Sequence, residues 1–451
     1  MTIQRPRGTR DFLPDDAWRR STVRKAMQKV LERWGYQEIA TPTFEHLELF
    51  TIKSGGSVLD EIYSFKDKGG RDLALRPEIT APVMRMYVNE LQNAAKPLRL
   101  YYYGSCFRYE RPQRGRFREF WQFGAELIGG STPDSEAEVI ALADQMLKSV
   151  NIRGDIHVGY LGLIRSILKK IEPEYRSEIM RMIDKKEREN LGAYLQRIGA
   201  EEIGLMDLID LKGRDALDKA VDISQTIVDI EDKSASNFDS KSKQASPQAS
   251  AEGRTSARTG RDVKAEGELE DFQRTIDLLD SYGVDAVIDF EIVRGLEYYS
   301  GTVFEIYAEG LGSQSQICGG GTYKLAGLFG GAETSSTGFG LGFDRIMEIV
   351  QIDDFRRAPV VLAYTPDVKS EAVGLAKRLR EQMPIVLDVM GRSLGAQLKA
   401  AGGSGAKHVI IVGENELKSG KLTLRNMETG MQVSLPLEEI AERLAGEYPC
   451  A

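Results

Sequence analysis

The chain predicts an α+β architecture: an antiparallel β-sheet core flanked by helices, a mainly helical insertion, and a small α/β domain at the C-terminal end. Three observations predict it. Leu98–Tyr109 and Phe117–Ile128 are aromatic-rich runs separated by a polar stretch containing Pro112, the pattern of an antiparallel hairpin with a long tip. Helical patterning dominates residues 151–285. After Arg357, short apolar runs alternate with helical stretches in the order βαβαβ. At 451 residues the chain is too long for one ordinary core. Its expected divisions are 1–150 and 286–357 as two parts of one core, 151–285 as the insertion, and 358–451 as the C-terminal domain.

Taken in order, Asp15–Trp34 places Val23, Met27, Val30, Leu31 and Trp34 on roughly one helical face. Tyr36–Phe44 follows as a strand interrupted by Pro42, which lacks a ladder N–H and so belongs at an edge or interface. Asp72–Leu75 is a short strand, and Pro77 suits the first turn of a helix running to about Leu91. In the second hairpin strand Phe117, Trp121, Phe123, Ala125 and Leu127 share one face. The other carries Arg118, Phe120, Gln122, Gly124, Glu126 and Ile128, so an amide, a gap and a carboxylate stand in a row. Residues 232–267 hold almost no large apolar side chain and are expected to be disordered. Strands are expected over Ala286–Val293, Gly301–Ala308, Gln314–Cys318 and Thr337–Phe343, with a helix from Asp344. In the last domain the strands are Val360–Tyr364, Ile385–Val389 and His408–Val412, with helices over Asp367–Gln382 and Ser393–Ala401.

Bulk properties exclude several classes. The composition, 41% hydrophobic and 28% charged, is that of a soluble protein, and no apolar run is long enough to span a bilayer. The first ten residues are basic and polar with no apolar stretch behind them, so no signal peptide is expected. Cys106, Cys318 and Cys450 are too scattered for a disulfide framework or a zinc site, which favours a reducing cytoplasm. A net charge of −8 argues against indiscriminate coating of nucleic acid but leaves room for a local basic patch, and Arg108–Arg118 holds five arginines.

Arginine is a fixed cation whose planar fork fits phosphate oxygens. Arg108, Arg116, Arg294 and Arg345 are candidate phosphate ligands; singly each could be surface charge, but Arg294 lies in a glycine–tyrosine turn and Arg345 in the first turn of a helix. Gly338-Phe339-Gly340-Leu341-Gly342 has neither the dinucleotide-fold spacing nor a P-loop Lys. Its alternate glycines serve either a flat ligand lying on the backbone or close strand–helix packing. Glu126 is either one half of a structural ion pair or part of a pocket, and Gln122 and Gly124 on its face favour the pocket. Glu78 and Thr80 stand at a helix start, where capping alone would account for them. His46, His157 and His408 are isolated and read as structural, so any catalysis is electrostatic and positional.

Phe107-Arg108-Tyr109-Glu110, Gly115-Arg116-Phe117-Arg118-Glu119-Phe120 and Gly338–Arg345 resemble motifs 2 and 3 of class II aminoacyl-tRNA synthetases, and Gly35–Glu45 resembles motif 1. Within that class, Gly8–Pro14, Leu75–Glu78 and Arg294-Gly295-Leu296-Glu297-Tyr298-Tyr299 resemble the histidyl-tRNA synthetases. Pro359–Ala451 resembles their anticodon-binding domain. The resemblance covers nearly the whole chain outside 232–267.

It implies a class II catalytic sheet, activation of L-histidine by ATP with Mg²⁺, transfer to tRNA-His, and a homodimer. By residue, it implies Arg108 and Arg294 on the α-phosphate, Arg116 on the outer phosphates and Glu110 near the adenine amino group. Phe120 and Arg345 would sandwich the adenine. Glu78, Thr80 and Gln122 would hold the substrate amino group; Glu126 and Tyr299 would bond the imidazole, with Tyr298 lining its pocket. Three departures, Trp121 where many bacterial members have His, and Thr322 and Lys324 where many have Arg and Asp, point to an archaeal-type branch. The alternative is a non-catalytic regulatory paralogue serving histidine biosynthesis; the retained Arg108, Arg294 and Arg345 and the C-terminal domain count against it.

Overall fold

The computed structural model describes residues 2–54, 59–110, 116–201, 203–220, 222–223, 262–293, 299–312, 315–352 and 359–445. They form two compact units, Met1–Ile352 and Asp353–Ala451.

The first unit contains strands β1 (Gln37–Glu38), β2 (Phe44–His46), β3 (Ser64–Lys66), β4 (Asp72–Leu75), β5 (Leu98–Phe107), β6 (Glu119–Ile128), β7 (Asp155–Tyr160), β8 (Ala286–Ile288), β9 (Tyr299–Tyr307), β10 (Gln316–Tyr323) and β11 (Ser336–Gly342). Its helices are α1 (Pro14–Arg33), α2 (Glu48–Ser54), α3 (Thr80–Met86), α4 (Asp134–Lys148), α5 (Leu161–Leu168), α6 (Pro173–Asp184), α7 (Arg188–Arg197), α8 (Leu205–Ile209), α9 (Asp262–Ser281) and α10 (Phe343–Ile349). One sheet runs β1-β5-β6-β11-β10-β9-β7-β8, antiparallel from β5 to β7 with a parallel pair at each end. The hairpin expected from the aromatic runs is its centre: β5 pairs β6 from Leu98↔Ile128 to Phe107↔Glu119. α1 buries the expected stripe of Val23, Met27, Val30 and Leu31. α4 is buried along most of its length and packs against β6, β10 and β11.

Several expectations shift. The strand expected over Tyr36–Phe44 divides between two sheets, β1 in the large one and β2 in a three-stranded sheet ordered β2-β4-β3. Proline at 42 removes the donor needed to continue. The freed carbonyls of Thr41 and Pro42 accept from the Arg76 guanidinium at 2.8 and 3.3 Å, so the break is not left unsatisfied. The helix expected at Pro77 begins at Thr80: the Ala81 N–H that would bond the Pro77 carbonyl goes to the Glu78 carboxylate at 3.0 Å, and that carbonyl accepts Arg108 Nε at 3.0 Å; a π-turn, Tyr87–Leu91, follows it.

Residues 151–285 are not uniformly helical, since β7 inserts between β9 and β8; the alternation of buried Ile156, Val158 and Tyr160 is its signature. The strand expected to reach Val293 stops at Ile288, where Asp289 folds back to accept the Glu291 N–H at 3.0 Å. β10 runs on through Gly319–Gly321 to Tyr323 instead of ending at Cys318. Residues 232–261 lie outside the described set. Asp262–Gly267, expected to be unstructured, begin α9, whose later Leu269, Phe272, Ile276 and Leu279 are buried at helical spacing.

The second unit follows the expected order: β12 (Val360–Tyr364), α11 (Lys369–Leu379), β13 (Ile385–Leu387), α12 (Leu394–Gly403) and β14 (His408–Val412). β12 lies between β13 and β14, parallel to both. The chain then adds α13 (Glu414–Ser419), a hairpin of β15 (Leu422–Asn426) and β16 (Gln432–Leu435), and α14 (Leu437–Ala445), none of which the sequence pattern had indicated. The hairpin extends the sheet antiparallel to β14.

Candidate functional site

A pocket of about 210 Å³ opens against β6, β10, β11 and α10. Arg108, Glu110, Arg116, Phe120, Gln122 and Arg345 all line it, so six of the expected residues are brought together. The Arg108 guanidinium carbon lies 5.1 Å from the Phe120 ring centre. Glu110 receives Arg116 at 3.4 Å and stands 3.9 Å from Arg108. Arg345 donates to the Gln316 carbonyl from the pocket wall. Burial first, then the neighbouring Arg116 charge, lowers the pKa of its guanidinium. Arg108, Arg116 and Arg345 face Glu110, and the other carboxylate of the lining, Asp344, is already paired with Arg10 and Arg20, so the wall keeps a positive field that an anionic ligand would relieve.

Farther along β6, Glu126 is fully buried. Thr80 donates to one of its oxygens at 2.8 Å and Tyr323 to the other at 2.6 Å. Burial pushes its carboxyl up to about 8, against the pull of these hydrogen bonds and that of Tyr102. Among the described residues, the hydrogen-bond partners of the Glu126 carboxylate are hydroxyls and none is an arginine. Tyr299 packs edge-on to Tyr323 with ring centres 6.1 Å apart. Glu78 uses its carboxylate to accept the Ala81 N–H at 3.0 Å, the capping role open to it from the sequence, and burial raises its pKa. Gln122 lines the pocket, and its amide oxygen accepts the Cys106 thiol at 3.2 Å. Arg294, Tyr298 and the loop 111–115 lie outside the described residues.

The glycines of β11 acquire a definite purpose. Gly338, Gly340 and Gly342 pair with Glu126, Gly124 and Gln122. A Cβ on Gly338 would overlap the Glu126 carboxylate, and one on Gly340 would come within 3.2 Å of the Gln122 amide. The bare strand makes room for the side chains of β6. The expected gap at Gly124 is filled: a Cβ there would overlap the Tyr102 phenol, which reaches across from β5. Tyr102 and Tyr323 are the residues that sequence reasoning missed. The visible cue was a tyrosine opposite a glycine in a strand, which needs the register to be known first.

Of the three departures, Trp121 stacks on Tyr103 at 4.8 Å, and Thr322 donates to buried Glu136 at 2.7 Å. Lys324 pairs with Glu333 at 3.1 Å on the surface. Glu136 also receives Thr302 at 2.6 Å and Thr275 at 3.0 Å, so a carboxylate surrounded by hydroxyls ties α4, α9, β9 and β10 together. His157 is held between Asp289 at 2.9 Å and Asp155 at 3.0 Å, a structural placement.

A family model for histidyl-tRNA synthetase matches residues 8–346, and one for an anticodon binding domain matches residues 359–447. The chain is 51% identical over 450 residues to the histidine–tRNA ligase of Methanosarcina acetivorans, covering 99% of this chain and 100% of the relative. It is 45% identical to the histidine–tRNA ligase of Archaeoglobus fulgidus, covering 98% of this chain and 99% of that one. Among solved structures, apo histidyl-tRNA synthetase from S. aureus matches with a TM-score of 0.69 at 25% identity, covering 98% of this chain and 100% of that one. The catalytic-sheet fold, the arginine-lined pocket and the near full-length matches agree, and the chain belongs to the histidyl-tRNA synthetase family.

Proposed function

We propose that this chain is a histidine–tRNA ligase: it joins L-histidine to ATP as histidyl-adenylate, releases pyrophosphate, and transfers histidine to the 3′ end of tRNA-His. The observation that carries this reading is Glu126, a buried carboxylate whose partners among the described residues are hydroxyls, at the far end of the β6 face that also lines the arginine pocket. Adenine would lie between Phe120 and Arg345, with Glu110 at its amino group, Arg108 and Arg294 on the α-phosphate, and Arg116 on the outer phosphates. Glu78, Thr80 and Gln122 would hold the amino group. Glu126 and Tyr299 would meet the imidazole, with Tyr298 beside it.

The histidine carboxylate is itself the nucleophile, so no base is required. It attacks the α-phosphorus, the bond to the pyrophosphate oxygen breaks, and charge building on the α-phosphate oxygens is met by arginines already in place. Polar groups at both ends of the imidazole would be left unpaired by an apolar rival, which gives strong discrimination. Mg²⁺ would travel with the nucleotide, held mainly by phosphate oxygens and water.

Homodimerisation has support in the small sheet, where Phe44 and Phe65 are exposed and meet edge-on at 6.4 Å. Sedimentation at micromolar concentration tests it. Buried Cys106 and Cys318, neither of them in a disulfide among the described residues, suit a reducing cytoplasm. Among the described residues no helix is long and apolar enough to cross a membrane.

The experiment is ATP–pyrophosphate exchange with each standard amino acid separately. Exchange with histidine alone supports the reading. Folded protein that exchanges with none would favour the regulatory paralogue.

A further inference from the structure

The β6–β11 ladder ends at Gln122↔Gly342. One residue beyond it, the Trp121 N–H faces a strand that has already turned into α10. Its acceptor is a side chain: Asp344 Oδ2, at 2.7 Å. Asp344 therefore adds one rung to the sheet. That rung joins the two residues assigned to opposite faces of the adenine, because Trp121 follows Phe120 and Asp344 precedes Arg345.

Asp344 is itself held from outside the pocket. Its other oxygen, Oδ1, accepts Arg20 Nη1 from α1 at 2.7 Å and Arg10 Nη2 at 2.5 Å. Arg20 is 7% exposed and does not line the pocket. Its guanidinium lies over the rings of Phe12 at 4.1 Å and Phe343 at 4.9 Å, so it is fixed by packing as well as by charge. Asp344 does line the pocket. A bare carboxylate there would repel a nucleotide polyphosphate; two guanidiniums on one carboxylate reverse the sign of the local charge.

We propose that Arg20 is a positioning residue for the nucleotide: through Asp344 it fixes the spacing of Phe120 and Arg345 and keeps the pocket wall from repelling phosphate. This rests on the reading of Phe120 and Arg345 as the adenine clamp. Arg20 contacts no reacting atom, so its loss weakens ATP and spares histidine, whose pocket centres on Glu126 farther along β6.

The test measures the KM for ATP and the KM for histidine separately in pyrophosphate exchange, with active-site titration to count competent protein. In Arg20→Met the ATP KM rises roughly tenfold, as expected for losing a charge-assisted bond, and the histidine KM changes less than about twofold. Arg20→Lys, which restores the charge and one donor, recovers part of the loss. Equal rises in both KM values, or a fall in active sites with neither KM changed, would overturn the proposal as mere scaffolding. If Arg20→Met fails to fold, Asp344→Asn serves: it keeps an acceptor for Trp121 and loses the charge, and an unchanged ATP KM there overturns the proposal. Phe120→Leu separates this inference from its premise. An unchanged ATP KM in Phe120→Leu sinks the adenine clamp itself, whereas a raised one beside a normal Arg20→Met sinks only the role of Arg20.

Discussion

Histidine affinity should pass through a maximum in pH set by Glu126. On the proposed reading the bound pair, Glu126 carboxyl and ligand imidazole, would share one proton, whichever of the two carries it. In the empty site burial holds Glu126 at about 8, while a free imidazole titrates near 6.5. Between about 6.5 and 8 the free partners already hold that single proton, and binding moves none. At pH 5.5 the free imidazole is about nine-tenths protonated, so binding must release about 0.9 proton. At pH 9.0 Glu126 is about nine-tenths ionised, so binding must take up about 0.9. The competent fraction falls from about 0.7 near pH 7.2 to about 0.09 at either extreme, and Kd rises about eightfold both ways. Calorimetric titration of histidine at pH 5.5, 7.2 and 9.0, in buffers of different ionisation enthalpy, reads both the affinity and the protons. The ligand's own amino group also deprotonates toward pH 9, and Glu126→Gln controls for it, because glutamine does not titrate and the amino group remains. The acid limb should persist in that variant and the alkaline limb shrink. An alkaline limb identical in the two proteins would refute the reasoning.

Other outcomes follow from particular contacts. Gly338→Ala drives a methyl into the Glu126 carboxylate, and histidine-dependent exchange should fall by an order of magnitude or more while far-ultraviolet circular dichroism stays native. Arg294→Ala should cut exchange by about 100-fold or more with an unchanged unfolding midpoint; normal turnover would remove Arg294 from the proposed clamp. Glu136 has its carboxyl raised by burial, so the folded state keeps a proton that the unfolded chain releases above about 4.5. Stability therefore declines as pH rises from that value through the raised one, and Glu136→Gln should make the slope of the urea midpoint against pH shallower. In the second unit, the buried Gln397 amide receives the Tyr364 N–H at 3.0 Å and donates to the Tyr364 and Arg392 carbonyls at 3.0 and 2.7 Å. Gln397→Ala should cost about 2–4 kcal/mol by stranding those groups, seen as faster amide exchange in β12.

What could be read in the sequence was what local pattern dictates. The alternation along Phe117–Ile128 placed Phe120, Gln122 and Glu126 on one face; Phe120 and Gln122 line the pocket, and Glu126 accepts from Tyr323 farther along the strand. The stripe on α1 and the βαβαβ order of the second unit were equally local. Long-range partners were not legible. Tyr323 meets Glu126 across 197 residues, and Arg20 meets Asp344 across 324. A tyrosine or arginine in a strand or helix carries no mark of which distant carboxylate it will find. The break at Pro42 was foreseeable from the missing donor, but Arg76 repairs it from 35 residues away, so its consequence, two strands in two sheets, was not. Gly124 is the reverse case. A glycine facing a pocket suggests open space, and only the register of β5 reveals that Tyr102 occupies it.

β6 then acts as a ruler for the whole proposed reaction. Residues on one face of a strand repeat every 6.6 Å or so, so Phe120 and Glu126, six residues apart, are separated by roughly 20 Å with Gln122 between them. On the proposed reading, the adenine, the amino group and the imidazole take their positions from successive outward-facing residues of one strand. On β11, Gly338 leaves room for the Glu126 carboxylate and Gly340 for the Gln122 amide, and beyond the ladder the Asp344 carboxylate adds a further rung at Trp121. A one-residue slip of β6 would turn all three contacts to the opposite face at once. That coupling explains why the alternation of both strands must be kept together: a bulky residue on β11 acts on the β6 side chain opposite it, and through the shared backbone on the neighbouring rung. The distance between nucleotide and amino acid is thereby set by covalent geometry and a hydrogen-bonded ladder rather than by loops, as in-line attack of a carboxylate on the α-phosphorus requires.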